Sequence, residues 1–116
     1  NNTLVIVMLE TPDAIENAEG IASVEGIDIL MIGTNDLCAE MGIPGQFDHS
    51  RIIDAYEKMI TACHKHGRYA GMGGVYEPSL MEKYIKMGVR FLLGGADLGF
   101  IMSEATHRSQ FLKNLV

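Results

Sequence analysis

One apolar run that ends abruptly in a polar turn constrains the fold of this chain more than any other feature. Residues 27–32 read Ile-Asp-Ile-Leu-Met-Ile, and Gly33-Thr34-Asn35-Asp36 follows directly. An isoleucine-rich run of this kind is typical of a strand buried on both faces, as in a parallel sheet. Ligands of open α/β sheets and of β/α barrels bind beyond the carboxyl ends of such strands. The pattern therefore predicts either an ordinary strand-to-helix connection with a capping aspartate or a ligand-binding turn.

The residue types in this turn suit a binding site. Gly33 lets the backbone approach a ligand closely, and Asn35 tolerates unusual backbone dihedral angles. Exposed backbone N–H groups in such a turn can hold a carboxylate or a phosphate. The turn alone does not decide between the two interpretations.

A second apolar run ends in the same way. Residues 4–9 are apolar, and Glu10-Thr11-Pro12 comes next. Thr11 before Pro12 indicates a helix N-cap followed by a proline in the first turn. If the two strands are parallel neighbours, Glu10 and Asp36 project from the same rim. Two strand-end carboxylates with room for water form a site for a hard cation such as Mg²⁺ or Mn²⁺.

Four βα units are predicted along the chain. The expected strands lie at about 4–9, 28–32, 69–72 and 90–93. The first expected helical segment lies at about 12–24, with a break near 17. Further helices are expected at 36–40, at 50–65 and from 78 to the glycine at 88. A last helix is expected to carry along one face Ile101, Met102, Ala105, Leu112 and Leu115. Strands and helices that alternate in this way indicate a parallel sheet with right-handed crossovers.

Local signals support the two longer middle helices. In the helix at 50–65, the apolar residues recur at helical spacing: Ile52, Ile53, Tyr56, Met59, Ile60 and Cys63. In the helix that begins at 78, Ser79 and Glu82 match a capping box. Its buried stripe is expected to consist of Leu80, Met81, Tyr84 and Ile85. Gly67 and Gly88 are expected to end the two helices.

The loops that follow the strands differ from those that follow the helices. Small or acidic residues follow all four predicted strands: Glu10-Thr11, Gly33-Thr34-Asn35-Asp36, Gly73-Gly74 and Gly94-Gly95-Ala96-Asp97. The opposite loops carry Glu25-Gly26, His66-Gly67 and Met87-Gly88, which are typical helix stops. This asymmetry indicates that the carboxyl-terminal rim is a site, independently of any relationship to known proteins.

Composition limits the classes of function. The 116 residues are enough for one domain, with 47% hydrophobic and 21% charged residues. A net charge of −6 argues against a nucleic-acid or anionic-membrane partner. No apolar run approaches the length of a membrane span, and no signal peptide is expected at the start. Cys38 and Cys63 do not form a disulfide or metal framework, and free thiols suit a cytoplasmic setting.

These motifs together resemble a known family. The segment from Met8 to Gly42, with Glu10-Thr11-Pro12 and Gly33-Thr34-Asn35-Asp36-Leu37, and the later segment Gly88–Ile101 are similar to the HpcH/HpaI aldolases. These are metal-dependent pyruvate, or 2-keto-3-deoxy acid, aldolases, related more distantly to the citrate lyase β-subunit. The resemblance extends from about Leu4 to about Met102. It implies a (β/α)8 TIM barrel and cleavage of 4-hydroxy-2-oxo acids into pyruvate and an aldehyde.

The length of the chain sets a limit on this interpretation. A β/α barrel needs about 200 residues or more. We therefore expect residues 1–116 to be a single (β/α)4 unit, the C-terminal half of a barrel, present as a fragment or a split polypeptide. Such a half is expected to pair with an N-terminal half or with copies of itself. The resemblance also implies helix exchange between neighbouring barrels in a hexamer.

The resemblance assigns roles to residues of the rim. It implies that Glu10 and Asp36 bind the divalent metal, Mg²⁺ or Mn²⁺ with Co²⁺ as a further candidate. It implies a Lewis-acid role for that metal toward the enolate formed when the aldol bond breaks. The predicted substrate-binding residues are Gly33, Thr34, Asn35, Asp36, Gly73 and Gly74, with the backbone N–H groups of Asn35 and Asp36 holding the pyruvate carboxylate. Asp97 is expected to be structural.

The sequence departs from the family pattern in ways that leave the substrate open. Many members have Gln where this chain has Met8, and Pro where it has Thr34. The catalytic histidine base and the pyruvate-binding arginine of the family belong to the first half of the barrel, so no residue of this chain is assigned to either role. The alternative function is a non-catalytic half-barrel that associates with itself and keeps a vestigial metal or anion site.

Overall fold

Residues 2–116 form a four-stranded parallel sheet with helices between the strands in this computed structural model. The strands are β1 (Ile6–Leu9), β2 (Ile29–Gly33), β3 (Tyr69–Gly73) and β4 (Phe91–Leu92), arranged in the order β1-β2-β3-β4. The helices are α1 (Pro12–Glu16), α2 (Ala18–Ala22), α3 (Thr34–Glu40), α4 (Ser50–His66), α5 (Pro78–Met87) and α6 (Asp97–Lys113). Because sequential strands are parallel neighbours, their carboxyl ends form one edge of the sheet, called the rim below.

All four predicted strands are present, but the first and the last are shorter than predicted. The first strand begins at Ile6 rather than Leu4, and the backbone N–H of Val5 donates to the Asp28 carboxylate at 2.8 Å instead. The last strand contains only Phe91 and Leu92. The second strand is buried along its whole length, as its isoleucine-rich sequence predicted.

One face of the sheet packs against the helices and forms the hydrophobic core. Alternate strand residues contribute to it, among them Leu9, Leu30, Ile32, Ala70 and Met72. The long helix α4 contributes Ile52, Tyr56, Met59, Ile60 and Cys63 to the core, as predicted, whereas Ile53 of the predicted stripe is only half-buried. Gly67 ends this helix in the left-handed conformation (φ 63°) that favours glycine.

The other face of the sheet, called the inner face below, is also apolar but is not covered by helices. In register across the strands it carries Ile6, Ile29 and Tyr69, then Met8, Met31, Gly71 and Phe91. Met8 is 47% exposed and Tyr69 is 63% exposed. Ile29 and Met31 of the central strand are buried even on this face, so the face is only partly exposed. A partly exposed apolar face is expected where the residues described form only part of a barrel.

Helix α6 does not pack against the sheet. Its residues are all exposed, although Leu98, Phe100 and Ile101 are large and apolar. The helix follows β4, and the described residues together measure 60 × 38 × 23 Å. The helix ends at Lys113, so Leu115 lies beyond the apolar face to which it was assigned. No helix in residues 2–116 has the length and apolar content needed to cross a membrane.

The predicted capping box at the start of α5 is wrong. Glu77 is the N-cap, and its carboxylate accepts hydrogen bonds from the backbone N–H groups of Ser79 and Leu80 and from the Ser79 hydroxyl. Glu82, the expected partner of Ser79, forms an ion pair with Lys86 one turn later. A carboxylate just before the proline satisfies two N–H groups at once, so Ser79 is left as a donor to it.

This cap predicts an acid-sensitive contribution to stability. The Ser79 hydroxyl and the two backbone N–H groups hold the pKa of Glu77 below its ordinary value of 4.5. The stabilisation is therefore complete above that value and is lost as the pH falls through the folded-state pKa. We expect Glu77→Gln to lower the melting temperature at neutral pH and to have less effect in strong acid. A larger loss with Glu82→Gln at neutral pH would favour the capping box instead.

Candidate active site

The carboxylate of Glu10 lies at the rim, over the end of the neighbouring strand. Glu10 follows β1, and the pairing of Leu9 with Ile32 places Gly33 beside it. A Cβ atom built on Gly33 would be 2.7 Å from Glu10 Oε1 and 2.8 Å from Glu10 Cγ. Gly33 has an ordinary φ of −81°, so glycine is needed here for space rather than for backbone conformation. The close approach predicted for a ligand at Gly33 is made in this structure by the Glu10 side chain.

We expect Gly33→Ala to weaken metal binding while leaving the fold intact. The new methyl group would overlap the Glu10 side chain, which must move away from the rim. Loss of a residue that orients a metal ligand lowers metal affinity about ten- to a hundredfold. We expect displacement of the Glu10 carboxylate to lower the affinity by a similar factor. Mn²⁺ titration measures the change. Gly20→Ala is the control, because a Cβ at Gly20 meets nothing within 4 Å, and an equal loss in both variants would contradict this account.

Asp36 and Asn35 lie in the first turn of α3, which begins two residues earlier than predicted. Both side chains are exposed, and Gly33 is the N-cap. No side chain caps this helix, so its first N–H groups have no acceptor within it. Asn35 does not use the tolerance of asparagine for unusual dihedral angles, because every residue with positive φ in the described chain is a glycine. Its helical conformation leaves the backbone N–H groups of Asn35 and Asp36 at the rim.

The turn after β3 packs against the turn after β2. Gly74 has a φ of +83°, which favours glycine, and a Cβ there would be 2.6 Å from the Asn35 side-chain nitrogen. Gly73 is buried and pairs with Gly33 across the two strands. The rim therefore brings Glu10, Gly33, Asn35, Gly73 and Gly74 into one neighbourhood, as the sequence predicted.

The side chain of Thr34 lies beneath the rim rather than on it. It is fully buried, and its hydroxyl bonds to the Tyr56 hydroxyl at 2.8 Å and to the Gly73 carbonyl oxygen at 2.7 Å. Tyr56 in turn stacks on Tyr84, with ring centroids 4.0 Å apart. A contact between Thr34 and a substrate would therefore have to come from its backbone. The helical spacing of Tyr56 predicted its burial. Because a buried tyrosine hydroxyl requires a hydrogen-bond partner, the sequence could also have indicated that Tyr56 bonds to another buried polar group, which is Thr34.

A family comparison bears on these rim residues. Residues 1–103 match the family model described as HpcH/HpaI aldolase/citrate lyase. The chain belongs to this family. The resemblance read from Glu10-Thr11-Pro12 and from the turn at 33–37 is thus confirmed.

Individual HpcH/HpaI relatives agree with this membership. The chain is 41% identical over 91 residues to a 4-hydroxy-4-methyl-2-oxoglutarate aldolase of Hapsidospora irregularis, covering 77% of this chain and 34% of that protein. It is 30% identical to a 5-keto-4-deoxy-D-glucarate aldolase of Klebsiella pneumoniae subsp. pneumoniae, covering 88% of this chain and 40% of that protein. The chain thus spans well under half the length of these curated relatives.

A solved HpcH/HpaI structure establishes the fold. The crystal structure of an HpcH/HpaI aldolase from Desulfitobacterium hafniense DCB-2 superposes with a TM-score of 0.84 at 24% identity, over 95% of this chain and 42% of that one. The expected parallel α/β fold is confirmed, and the chain corresponds to part of a barrel. The uncovered inner face of the sheet agrees with that partial coverage.

The donor set at the rim fits a hard divalent cation with open coordination positions. The half-buried carboxylate of Glu10 and the exposed one of Asp36 have no hydrogen-bond or ion-pair partner within residues 2–116. No group of three or more His, Cys, Asp or Glu residues able to hold a metal occurs in that range. Two carboxylates would leave further positions to substrate, water or residues outside the described range, as carboxylate-bound Mg²⁺ does in other proteins.

Other titratable residues of this HpcH/HpaI chain lie away from the rim chemistry. Cys38 is fully buried in α3, and burial raises the pKa of its thiol, so it is not an activated nucleophile. The His49 ring accepts from the Arg51 backbone N–H as the N-cap of α4. Asp97 accepts from the Leu98 backbone N–H at the start of α6, which agrees with a structural role.

Proposed function

We propose that the protein cleaves 4-hydroxy-2-oxo acids into pyruvate and an aldehyde, and that this chain supplies the metal site and the site for the pyruvate carboxylate. The observation that carries the proposal is the carboxylate of Glu10, half-buried over Gly33 with no protein partner in the described chain. Asp36 lies on the neighbouring turn of the same rim. The two relatives are named as aldolases of oxo acids, which supports the same reaction class.

Each rim residue has a distinct role in this proposal. Glu10 and Asp36 bind the cation, Mg²⁺, Mn²⁺ or Co²⁺. When bound, the cation supplies a Lewis acid for the negative charge that develops during C–C cleavage. The backbone N–H groups of Asn35 and Asp36 donate to the carboxylate of the 2-oxo acid. Gly73 and Gly74 border the space for the aldehyde part, where the absence of side chains leaves room for it.

The chain alone is expected to bind without turning over substrate. Aldol cleavage needs a base that removes the proton of the 4-hydroxyl group, and no residue of the described rim is a histidine. We expect the purified 116-residue chain to show little or no cleavage of a 4-hydroxy-2-oxo acid in an assay coupled to pyruvate. Rapid cleavage would mean that a residue of this chain serves as the base, contrary to the proposal.

Metal titration with a pyruvate analogue tests the proposed site directly. Mn²⁺ is added to the protein with and without oxamate, and binding is followed by calorimetry. A competent site binds Mn²⁺, and each ligand raises the affinity for the other, because both contact one centre. If Mn²⁺ binds but oxamate and pyruvate have no effect, the alternative of a non-catalytic half-barrel with a vestigial site is favoured. Absence of Mn²⁺ binding would refute both.

A further inference from the structure

We infer that Thr34 is a positioning residue whose hydroxyl, oriented by Tyr56, fastens the Gly73-Gly74 turn to the turn that carries Asn35 and Asp36. This inference rests on the proposed function, because it concerns how two parts of that binding site are held together. It adds a role for Thr34 that needs no contact with the substrate. The alternative role, substrate contact by its side chain, does not fit a hydroxyl that is fully buried and twice bonded.

The direction of the hydrogen bonds follows from counting protons. The Gly73 carbonyl oxygen can only accept, so the single proton of the Thr34 hydroxyl is donated to it. The Thr34 oxygen is then free to accept, and the Tyr56 hydroxyl must be the donor at 2.8 Å. The chain of donors runs from Tyr56 through Thr34 to Gly73. Burial keeps the pKa of Tyr56 above its ordinary value, so the phenol retains its proton at working pH.

The Gly73 carbonyl lies where the ladder between β3 and β2 ends. The Met72 carbonyl accepts from the β4 side, so the carbonyl of the next residue, Gly73, faces β2, whose last strand residue pairs with Gly73. The Thr34 hydroxyl therefore binds a peptide group at the point where the backbone ladder between these two strands has ended. The next residue, Gly74, has a positive φ and lies against the Asn35 side chain. Fixing the Gly73 carbonyl thus fixes the distance between the two turns.

Tyr56 is well suited to orient Thr34, because it is itself held rigidly. It is fully buried in α4 and stacks on Tyr84 of α5, whose hydroxyl donates to the carbonyl of Phe47. Rotation of either ring would leave a buried hydroxyl or carbonyl without a partner, which is costly. The geometry of the rim is therefore set by the packing of α4 and α5 beneath it.

Isosteric variants of the full-length protein test this inference. Thr34→Val removes the hydroxyl and keeps the shape, Tyr56→Phe removes the donor, and Thr34→Ser keeps the hydroxyl. Thr61→Val is the matched control, an exposed threonine of α4. Amide hydrogen exchange of Gly74 and Val75 measures how firmly the turn is held. Mn²⁺-dependent oxalate affinity measures whether the turn matters to the site, with oxalate as an analogue of the pyruvate enolate.

We expect Thr34→Val and Tyr56→Phe to raise exchange at Gly74 and Val75 about tenfold and to weaken oxalate binding by a similar factor. Thr34→Ser and Thr61→Val should stay near the wild-type values. In the double variant, the exchange rates and the oxalate affinity should differ little from those of Thr34→Val alone, because both substitutions break the same series of hydrogen bonds.

Two results would overturn the inference. The first is equal exchange in Thr34→Val and Thr34→Ser, which would show that the hydroxyl does not hold the turn. The second is faster exchange with unchanged oxalate affinity, which would show that the turn is not part of the site. If the wild-type protein binds no oxalate in the presence of Mn²⁺, the proposed function fails, and hydrogen exchange alone still decides whether Thr34 fastens the turn.

Discussion

Glu10→Gln is expected to reduce the affinity for Mn²⁺ by at least about a hundredfold, and Asp36→Asn to have an effect of similar size. Loss of a residue that merely orients a metal ligand costs about ten- to a hundredfold, so loss of a ligand charge should reach or exceed the upper value. Gln and Asn keep the shape of each side chain, and Glu10 is held in place over Gly33 by packing. The change in affinity therefore reports on the carboxylate rather than on the fold.

Asp97→Asn is the control for this experiment. Asp97 also follows a strand, β4, and also begins a helix, but its carboxylate accepts from the adjacent backbone N–H of Leu98. We expect a change in Mn²⁺ affinity of no more than a few-fold. Calorimetric titration of the three variants at one pH compares them. Equal losses in all three would mean that general negative charge, and not the pair Glu10 and Asp36, attracts the cation.

The parts of this fold that the sequence predicted are those in which local pattern and burial agree. The run from Ile29 to Ile32 has to be buried on both faces, and it is. Thr11 before Pro12 caps α1 through a 3.1 Å bond from the Ala14 N–H. The glycine after His66 ends α4 in the left-handed conformation. At these positions the local requirement of the sequence and the tertiary environment agree, so the outcome could be predicted.

The incorrect predictions concern positions where a distant or competing partner decides the structure. Ser79 and Glu82 have capping-box spacing, but the carboxylate of Glu77 reaches the same N–H groups first. Leu4 and Val5 continue the apolar pattern of β1, but the neighbouring strand begins only opposite Ile6. Thr34 lies in a polar turn, and its substrate-binding role stays a prediction, but the partners of its hydroxyl lie 22 and 39 positions away and could not be predicted. Sequence spacing alone does not indicate such partners.

The composition of the rim explains why these turns could be grouped from the sequence. Gly33 is glycine because Glu10 occupies the space of its side chain, and Gly74 because Asn35 lies over it and its φ is positive. Small residues after successive strands therefore mark places where side chains of neighbouring turns converge. The prediction that these turns lie together rested on the same need for space at the glycines. In the structure, the side chains of Glu10 and Asn35 occupy part of the space that was predicted for a ligand.

The isolated 116-residue chain is expected not to persist as a monomer, because its inner face and both edges of its sheet are open. β1 and β4 each have one neighbour within the described residues, and unpaired edges recruit further strands. On the inner face Ile6, Met8 and Tyr69 are exposed, although Ile29 and Met31 of the central strand are buried, and α6 adds a second exposed apolar surface. Large exposed apolar patches rarely stay in water on a monomer. We propose the remainder of a β/α barrel as the occupant of the inner face, since the matched aldolase structure is more than twice as long.

Sedimentation at micromolar concentration measures this association, and two lysine substitutions show which surface causes it. Ile6 and Ile85 are matched, at 38% and 40% exposure, but Ile6 lies on the inner face and Ile85 on the outer helix α5. We expect the wild-type chain and Ile85→Lys to sediment as oligomers, and Ile6→Lys to shift toward the monomer or to unfold, because a charge on the inner face cannot be buried without a partner. Supplying the complementary half of the barrel should replace self-association by a one-to-one complex. A wild-type chain that is monodisperse, monomeric and cooperatively folded would show that the inner face is stable in water and that this account of the half-barrel is wrong.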